Sequence, residues 1–248
     1  MFNKNLIEYL KTFFKGRKFL YDIFIFPLSL LRYVFKRKKI YKSSIELGRH
    51  WKKALINDNG NNWRGGRESL IKSDNENYIR HILKKNSKKY NTILDIGSYD
   101  GYFFDSYSSF NQIICADMFK ESEEVIKNKY DNKFDFVLLN GNDFSNIKSN
   151  SIDFVFSIHT LQRVPRNILI KYFNDIDRIT SKNSYVFLQV PDCYYYNSLN
   201  HNFTFISALK LKKLLPSFET TIDYTISTIS PIIIGKKNVN VSQSPKGK

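Results

Sequence analysis

The sequence predicts an α/β fold: a doubly wound, mostly parallel seven-stranded sheet with an antiparallel C-terminal hairpin and an N-terminal helical extension. Five short apolar runs rich in β-branched and aromatic residues read as buried parallel strands: Thr92 to Ile96, Gln112 to Ala116, Phe134 to Leu139, Ile152 to Phe156 and Tyr185 to Val190. Helix-length segments separate several of them, which is the alternation that builds a doubly wound sheet. Two further extended segments, Thr220 to Ile229 and Pro231 to Ile234, lie close enough to pair as a hairpin.

The 248 residues contain 42% hydrophobic and 16% aromatic side chains, with ten Gly and six Pro, which excludes disordered, collagen-like and linker-like chains. The length suits one domain with an extension. The net charge of +16 is unevenly spread. Residues 1–45 hold eleven basic and two acidic side chains, residues 236–248 hold four basic ones, and residues 46–235 are left at +3. The expected organisation is therefore a basic and apolar arm over 1–45, a globular domain over 46–235 and a basic tail over 236–248. Only Ala54, Ala116 and Ala208 are alanine, while Lys, Asn, Ile, Phe and Tyr abound, so some of the lysine excess reflects codon usage. The run Lys36, Arg37, Lys38, Lys39 is clustered nonetheless.

Within the arm, the uncharged stretch Ile23 to Leu31 is about half the roughly 20 residues that a spanning helix needs. Flanked by Lys15, Arg17 and Lys18 and by the Lys36 to Lys39 cluster, residues 15–42 fit an in-plane anchor on an anionic membrane surface. A helix packed on the domain or on a partner is the competing reading, and contact with RNA phosphates is a third. The residues after Leu31 are too bulky and basic for a signal-peptide cleavage site. Cys115 and Cys193 form no CxxC, and His50, His81, His159 and His201 show no zinc spacing, so neither a disulfide framework nor a metal site is read. A reducing, cytoplasmic location is expected, at the inner face of the membrane if the arm binds lipid.

Downstream, Ser73, Asp74, Asn75 and Glu76 spell a capping box ahead of the apolar positions Tyr78, Ile79, Ile82 and Leu83, which predicts a helix start. The strand Thr92 to Ile96 then runs into ILDIGSYDGYFF, where Gly97 and Gly101 bracket a sharp turn leading to a helix. Glu121 to Lys129 and Pro165 to Thr180 are the next helices, the latter with the stripe Ile168, Leu169, Tyr172, Phe173 and Ile176. Phe205 to Leu215 is the last. The strand QIICAD ends at Asp117, where an acid at the carboxyl edge of a sheet can take both hydroxyls of a ribose. After the third strand, Asp143 and Phe144 can offer an acceptor and an aromatic face to an adenine.

With SIDFVFSIHTLQRVP following, the sequence from about Asn91 to Ile234 resembles the class I S-adenosylmethionine-dependent methyltransferases. That group reads LDIGCGxG, an acid after the second strand, an acid and a hydrophobic residue after the third, FDLVxxxxxLEHV, and a fifth strand ending in VP. The resemblance implies a Rossmann-like methyltransferase fold and S-adenosyl-L-methionine as cofactor. Asp95, Gly97, Ser98 and Gly101 then belong to the first motif, with Gly97 and Gly101 around the methionine moiety. Asp117, followed by Met118, matches the ribose-binding acid, Asp143 and Phe144 stand beside the adenine, and Ser157 and His159 face the sulfonium and the acceptor. Tyr99 departs from the family's middle glycine, and Gln162 and Arg163 stand where Glu-His is common. A dinucleotide-binding G-x-G-x-x-G is absent from the sequence.

An oxygen acceptor needs a base. His159 is the first candidate, with a core or capping histidine as its bland counterpart; Asp192 and His201 follow. Tyr194, Tyr195 and Tyr196 read as an aromatic wall suited to a sugar or planar acceptor, or else as a packed loop. Trp63, Arg64 and Arg67 can fold over the site to grip phosphate or carboxylate. The segment HNFTFISALKLKKLL is similar to one in methyltransferases encoded among bacterial surface-polysaccharide genes, which implies O-methylation of a cell-surface sugar or lipid-linked saccharide. An RNA methyltransferase and a non-catalytic binding module are the rival readings. Against the first, the central +3 region lacks an N-P-P-Y signature after the fourth strand. The oligomeric state is not read from the sequence.

Overall fold

The computed structural model describes residues 49, 52, 75–130, 133–139, 144–194, 203–227 and 229–238, all within the compact unit Ser43–Lys248. The arm, the Trp63 to Arg67 stretch, Asp143, Tyr195, Tyr196, His201 and residues 239–248 lie outside the described residues. Seven strands form one sheet in the order β3-β2-β1-β4-β5-β7-β6. In chain order the elements are α1 (Glu76–Ser87), β1 (Thr92–Ile96), α2 (Phe104–Tyr107), β2 (Gln112–Asp117), α3 (Glu121–Tyr130), β3 (Asp135–Leu138), β4 (Ile152–Ser157), a 3-10 turn (Leu161–Arg163), α4 (Arg166–Ile179), β5 (Thr180–Gln189), α5 (Ala208–Lys212), β6 (Phe218–Asp223) and β7 (Ile232–Lys237). Strands β1 to β5 run parallel, and β7 pairs antiparallel with both β5 and β6.

Alternation along the strands separates two apolar layers. Leu94, Ile96, Ile114, Ala116, Val155, Val186 and Leu188 face the Leu169, Tyr172, Phe173 and Ile176 stripe of α4 together with Ala208 and Leu211 of α5. Ile93, Ile113, Cys115, Phe154, Phe156 and Phe187 face Ile79 and Leu83 of α1 together with Phe103, Phe104 and Tyr107. Every residue of β1 is buried, as befits a central strand. β3 is the exception to the expected buried strands: it lies at the sheet edge and none of its four residues is buried.

Several boundaries differ from expectation, among them those of β6, which spans Phe218–Asp223 where an extended Thr220 to Ile229 is expected, and of β5, which begins at Thr180. Helix α1 begins at Glu76 with Asn75 as its N-cap and no side-chain cap bond. Glu76 Oε1 accepts hydrogen bonds from Arg80 Nε (2.7 Å) and Tyr102 Oη (3.0 Å), which ties the start of α1 to the turn ahead of α2; Ser73 of the expected capping box lies outside the described residues. The final helix is only the five residues of α5, because Ser207 caps it by accepting from the Lys210 backbone N–H at 3.2 Å. β7 runs past 235 to Lys237, so two of the four cations assigned to the tail belong to the sheet. Lys237 Nζ donates to the carbonyls of Asp177 (2.6 Å) and Thr180 (3.0 Å). None of the described helices is long and apolar enough to cross a membrane.

Candidate active site

The chain leaves β1 toward β2 on one side and enters β4 on the other, so the strand order reverses between β1 and β4. In open α/β sheets a ligand binds at such a switch point, outside the carboxyl ends of the strands. Here that edge is drawn together by short-range bonds. Gly97 N–H donates to Ala116 O at 2.7 Å, and Leu139 N–H donates to Asp117 O at 2.8 Å. Ser157, fully buried, donates its hydroxyl to Ile96 O at 2.8 Å and so stitches the ends of β4 and β1.

The turn after β1 takes three left-handed residues: Gly97 (φ 82°), Tyr99 (φ 49°) and Gly101 (φ 72°). A Cβ on Gly97 would stand 2.0 Å from Thr160 Oγ1, and one on Gly101 would stand 2.9 Å from Tyr130 Cε2. Gly97 thus admits Thr160, from the loop after β4, against the backbone. Tyr99 accepts the middle left-handed position, and its ring packs on Phe119 and Val125. Its N–H donates to Asp117 Oδ2 at 2.9 Å, while Phe119 N–H donates to Asp117 Oδ1 at 3.0 Å. Asp117 is 5% exposed at the end of β2, with each carboxylate oxygen oriented by a backbone amide.

A methyl-donating nucleoside with a ribose diol needs an acceptor-only group at this place and a tight glycine turn beside it. The oriented Asp117 carboxylate and the turn at Gly97 to Gly101, into which a Cβ at Gly97 could not be built, fit that need. Asp95 lies beneath the turn, 5% exposed, and accepts the Tyr107 hydroxyl at 2.7 Å. Burial, and after it the neighbouring Asp95 and Cys115, push the Tyr107 phenol well above its ordinary range, so it stays a donor. Ser98 is buried, and Met118 is 64% exposed at the rim. Phe144, expected to offer its ring to an adenine, is turned into the core with its centroid 4.6 Å from that of Tyr172.

On the opposite side, His159 also takes a left-handed backbone (φ 61°), and its N–H donates to Gln189 Oε1 at 2.7 Å. Asp192 is 3% exposed; its Oδ2 accepts the Tyr224 hydroxyl at 2.7 Å and its Oδ1 accepts the Tyr194 N–H at 3.0 Å. These bonds make Asp192 a holder of two aromatic residues that are themselves open at the rim, Tyr194 at 47% and Tyr224 at 38% exposure. Burial, with the Asp192 charge adding to it, pushes the neighbouring Cys193 thiol up to about 12. Arg163 stands with its guanidinium 5.2 Å from the Phe203 ring centre, and burial lowers it to about 10.

Thr160, Gln189 and Tyr224 are parts of this edge that the sequence reading missed. Gln189 left a trace, being the polar residue inside the apolar run Tyr185 to Val190. Thr160 and Tyr224 left none, since each is defined by what the topology sets opposite it.

The fold is shared with solved methyltransferases. The N-methyltransferase NodS from Bradyrhizobium japonicum WM9, solved in complex with S-adenosyl-L-homocysteine, aligns with a TM-score of 0.57 and 12% identity over 77% of this chain and 97% of its own. A SAM-dependent methyltransferase from Aquifex aeolicus aligns at 0.50 and 13% identity over 68% and 97%. A chain of the complex between the Haloferax volcanii Trm112 methyltransferase activator and a methyltransferase aligns at 0.55 and 12% identity over 76% and 97%. At such identities the likeness speaks for the fold alone. No curated protein sequence matches the chain. The family model described as a methyltransferase domain matches residues 71–219, more than half of the chain, and the chain therefore belongs to that methyltransferase family.

Proposed function

We propose that the protein O-methylates a cell-surface sugar or lipid-linked saccharide, held at the inner face of a membrane by residues 15–42. Membership of the family makes it a methyl-transferring enzyme, and its cofactor is S-adenosyl-L-methionine. In this reading Asp117 takes the ribose hydroxyls, and the backbone from Gly97 to Gly101, with Asp95 and Ser98 beneath it, cradles the methionine moiety. The adenine is assigned to Asp143, and because the Phe144 ring is buried, the exposed side chains of Met118 and Leu138 flank the base in its place.

When bound, the cofactor supplies an electrophilic methyl group for in-line displacement by an acceptor oxygen. Ser157 fixes the separation of the two strand ends around that line through its bond to Ile96 O. His159 receives the acceptor's hydroxyl proton. His201 is the second candidate base. Asp192 orients Tyr224 and Tyr194. The saccharide reading rests on one observation: two partly exposed tyrosines, bonded to one buried carboxylate, at the rim beside the loop that carries His159. Aromatic rings with a polar edge suit the apolar face and hydroxyls of a sugar.

The test supplies the protein with S-adenosyl-L-methionine labelled in its methyl group together with lipid-linked saccharides and RNA. Label in the saccharide fraction is expected, and label in RNA alone overturns the acceptor. In the same preparation Asp117→Ala is expected to weaken cofactor binding by calorimetry by about tenfold or more, since it removes a charged hydrogen-bond acceptor.

A further inference from the structure

Gln189 ends β5 and is fully buried. The orientation of its amide follows from its neighbours. A backbone N–H can only donate, so the atom 2.7 Å from His159 N is Oε1, and that oxygen also accepts from Gln162 Nε2 at 3.0 Å. Nε2 is then left to donate to Ser227 Oγ at 2.8 Å. Ser227 belongs to the connection between β6 and β7, and its Oγ accepts the N–H groups of Ile229 (3.3 Å) and Ser230 (3.4 Å). The register places this connection at the carboxyl edge, because Ile232 of β7 pairs with both Gln189 and Asp223. Tyr224, bonded to Asp192, ties the same connection down a second time.

One side chain thus holds two loops. His159 has a left-handed backbone, which a β-carbon disfavours and which persists only where the surroundings impose it. The bond from its N–H to Gln189 is such an imposition, and the other end of the same amide grips Ser227. We propose that Gln189 is a positioning residue that couples the His159 turn to residues 224–227 and 229–230, so that ordering one wall of the acceptor site orders the other. This rests on the proposed reading of the His159 and Asp192 side as the acceptor side.

The coupling is tested on the full chain by amide hydrogen exchange. Ser227→Ala lies in the β6 to β7 connection and leaves the bond from His159 N–H to Gln189 in place, yet it is expected to speed exchange by about tenfold in that connection and by about threefold or more at the His159 N–H, the range that loss of one hydrogen bond allows. Gln189→Leu is expected to speed both by about tenfold, and Gln189→Glu, which can still accept from His159 N–H and Gln162, to restore protection at His159. An effect of Ser227→Ala confined to its own connection, or no effect, overturns the coupling, and this variant decides the matter even if Gln189→Leu fails to fold. S-adenosyl-L-homocysteine affinity, measured alongside by calorimetry, is expected to stay within about threefold in Ser227→Ala, and a loss beyond about tenfold would move Gln189 to the cofactor side and overturn the proposal. Absence of binding in the unaltered protein would instead sink the cofactor reading while leaving the exchange result interpretable.

Discussion

Gly97 carries two separate demands, and they can be measured apart. Its φ of 82° disfavours any side chain, and Thr160 Oγ1 would lie 2.0 Å from an added Cβ. Gly97→Ala is expected to cost about 2–4 kcal/mol in urea unfolding, summing a left-handed penalty with overpacking. Adding Thr160→Gly relieves the contact alone and should leave a penalty of about 1 kcal/mol attributable to Gly97. Equal stability of Gly97→Ala with and without the second change would show that Thr160 does not set the requirement. Tyr99 sharpens the point. It stands where the family has glycine, and it takes the same left-handed region at φ 49°, because its ring finds Phe119 and Val125 outside the turn. The glycines were legible because a motif names them. The reason for Gly97 was not, since Thr160 reaches it only through strand order.

At the scale of elements, α4 does more than cover the sheet. Its apolar stripe was readable at helical spacing, and Leu169, Tyr172, Phe173 and Ile176 are buried as that spacing requires. Its polar residues clamp the segment after β3. Asp175 Oδ2 accepts the Phe144 N–H at 2.6 Å, while Arg178 donates to Phe144 O (2.8 Å), to Ile147 O (3.0 Å) and to Asp175 Oδ1 (2.8 Å). Nothing in the spacing of a solvent-facing Asp and Arg signals this, because the acceptors are backbone carbonyls of a loop more than 30 residues away. Arg178→Met is expected to lower stability by about 2–3 kcal/mol. Arg178→Lys should recover less than half of that, because an ammonium point charge cannot serve acceptors in divergent directions. Full rescue by lysine in urea unfolding would reduce the clamp to simple charge pairing. The shortened α5 and the shifted ends of β6 and β7 are likewise set by contacts that apolar runs do not show: Ser207 caps α5, and β7 pairs with β5 on one side and β6 on the other.

For the whole molecule, the doubly wound, mostly parallel sheet with its antiparallel C-terminal pair was legible in the alternation of apolar runs and helix-length segments, whereas the strand order was not, and the charge of the chain resolves into ends and a nearly neutral centre. What the composition did not disclose is how many weak acids the sheet buries. Burial pushes Cys115 well up, Cys193 and Tyr185 up to about 12, and Tyr107 well above its ordinary range. Each folded-state value lies above the unfolded one, near 9.0 for Cys and 10.0 for Tyr, so the folded protein keeps protons that the unfolded chain sheds. Stability is therefore fully present below pH 9 and is lost as pH rises from 9 toward 12. Arg163, lowered to about 10 by burial, acts in the opposite direction above pH 10, and Lys237, lowered from 10.5 by burial against the pull of Asp177, does so as pH rises toward 10.5. They offset only part of the loss, since the two thiols begin to count a unit earlier. Between pH 8.5 and pH 10.5, in reductant, the unfolding free energy is expected to fall by about 3 kcal/mol, at about 1.4 kcal/mol per pH unit for each proton withheld. Cys115→Ala should be less stable at pH 8.5, because it opens a gap under β2, yet its loss between the two pH values should be visibly smaller. An unchanged pH slope in that variant would mean that Cys115 ionises in place, and so that water reaches the layer between the sheet and α2.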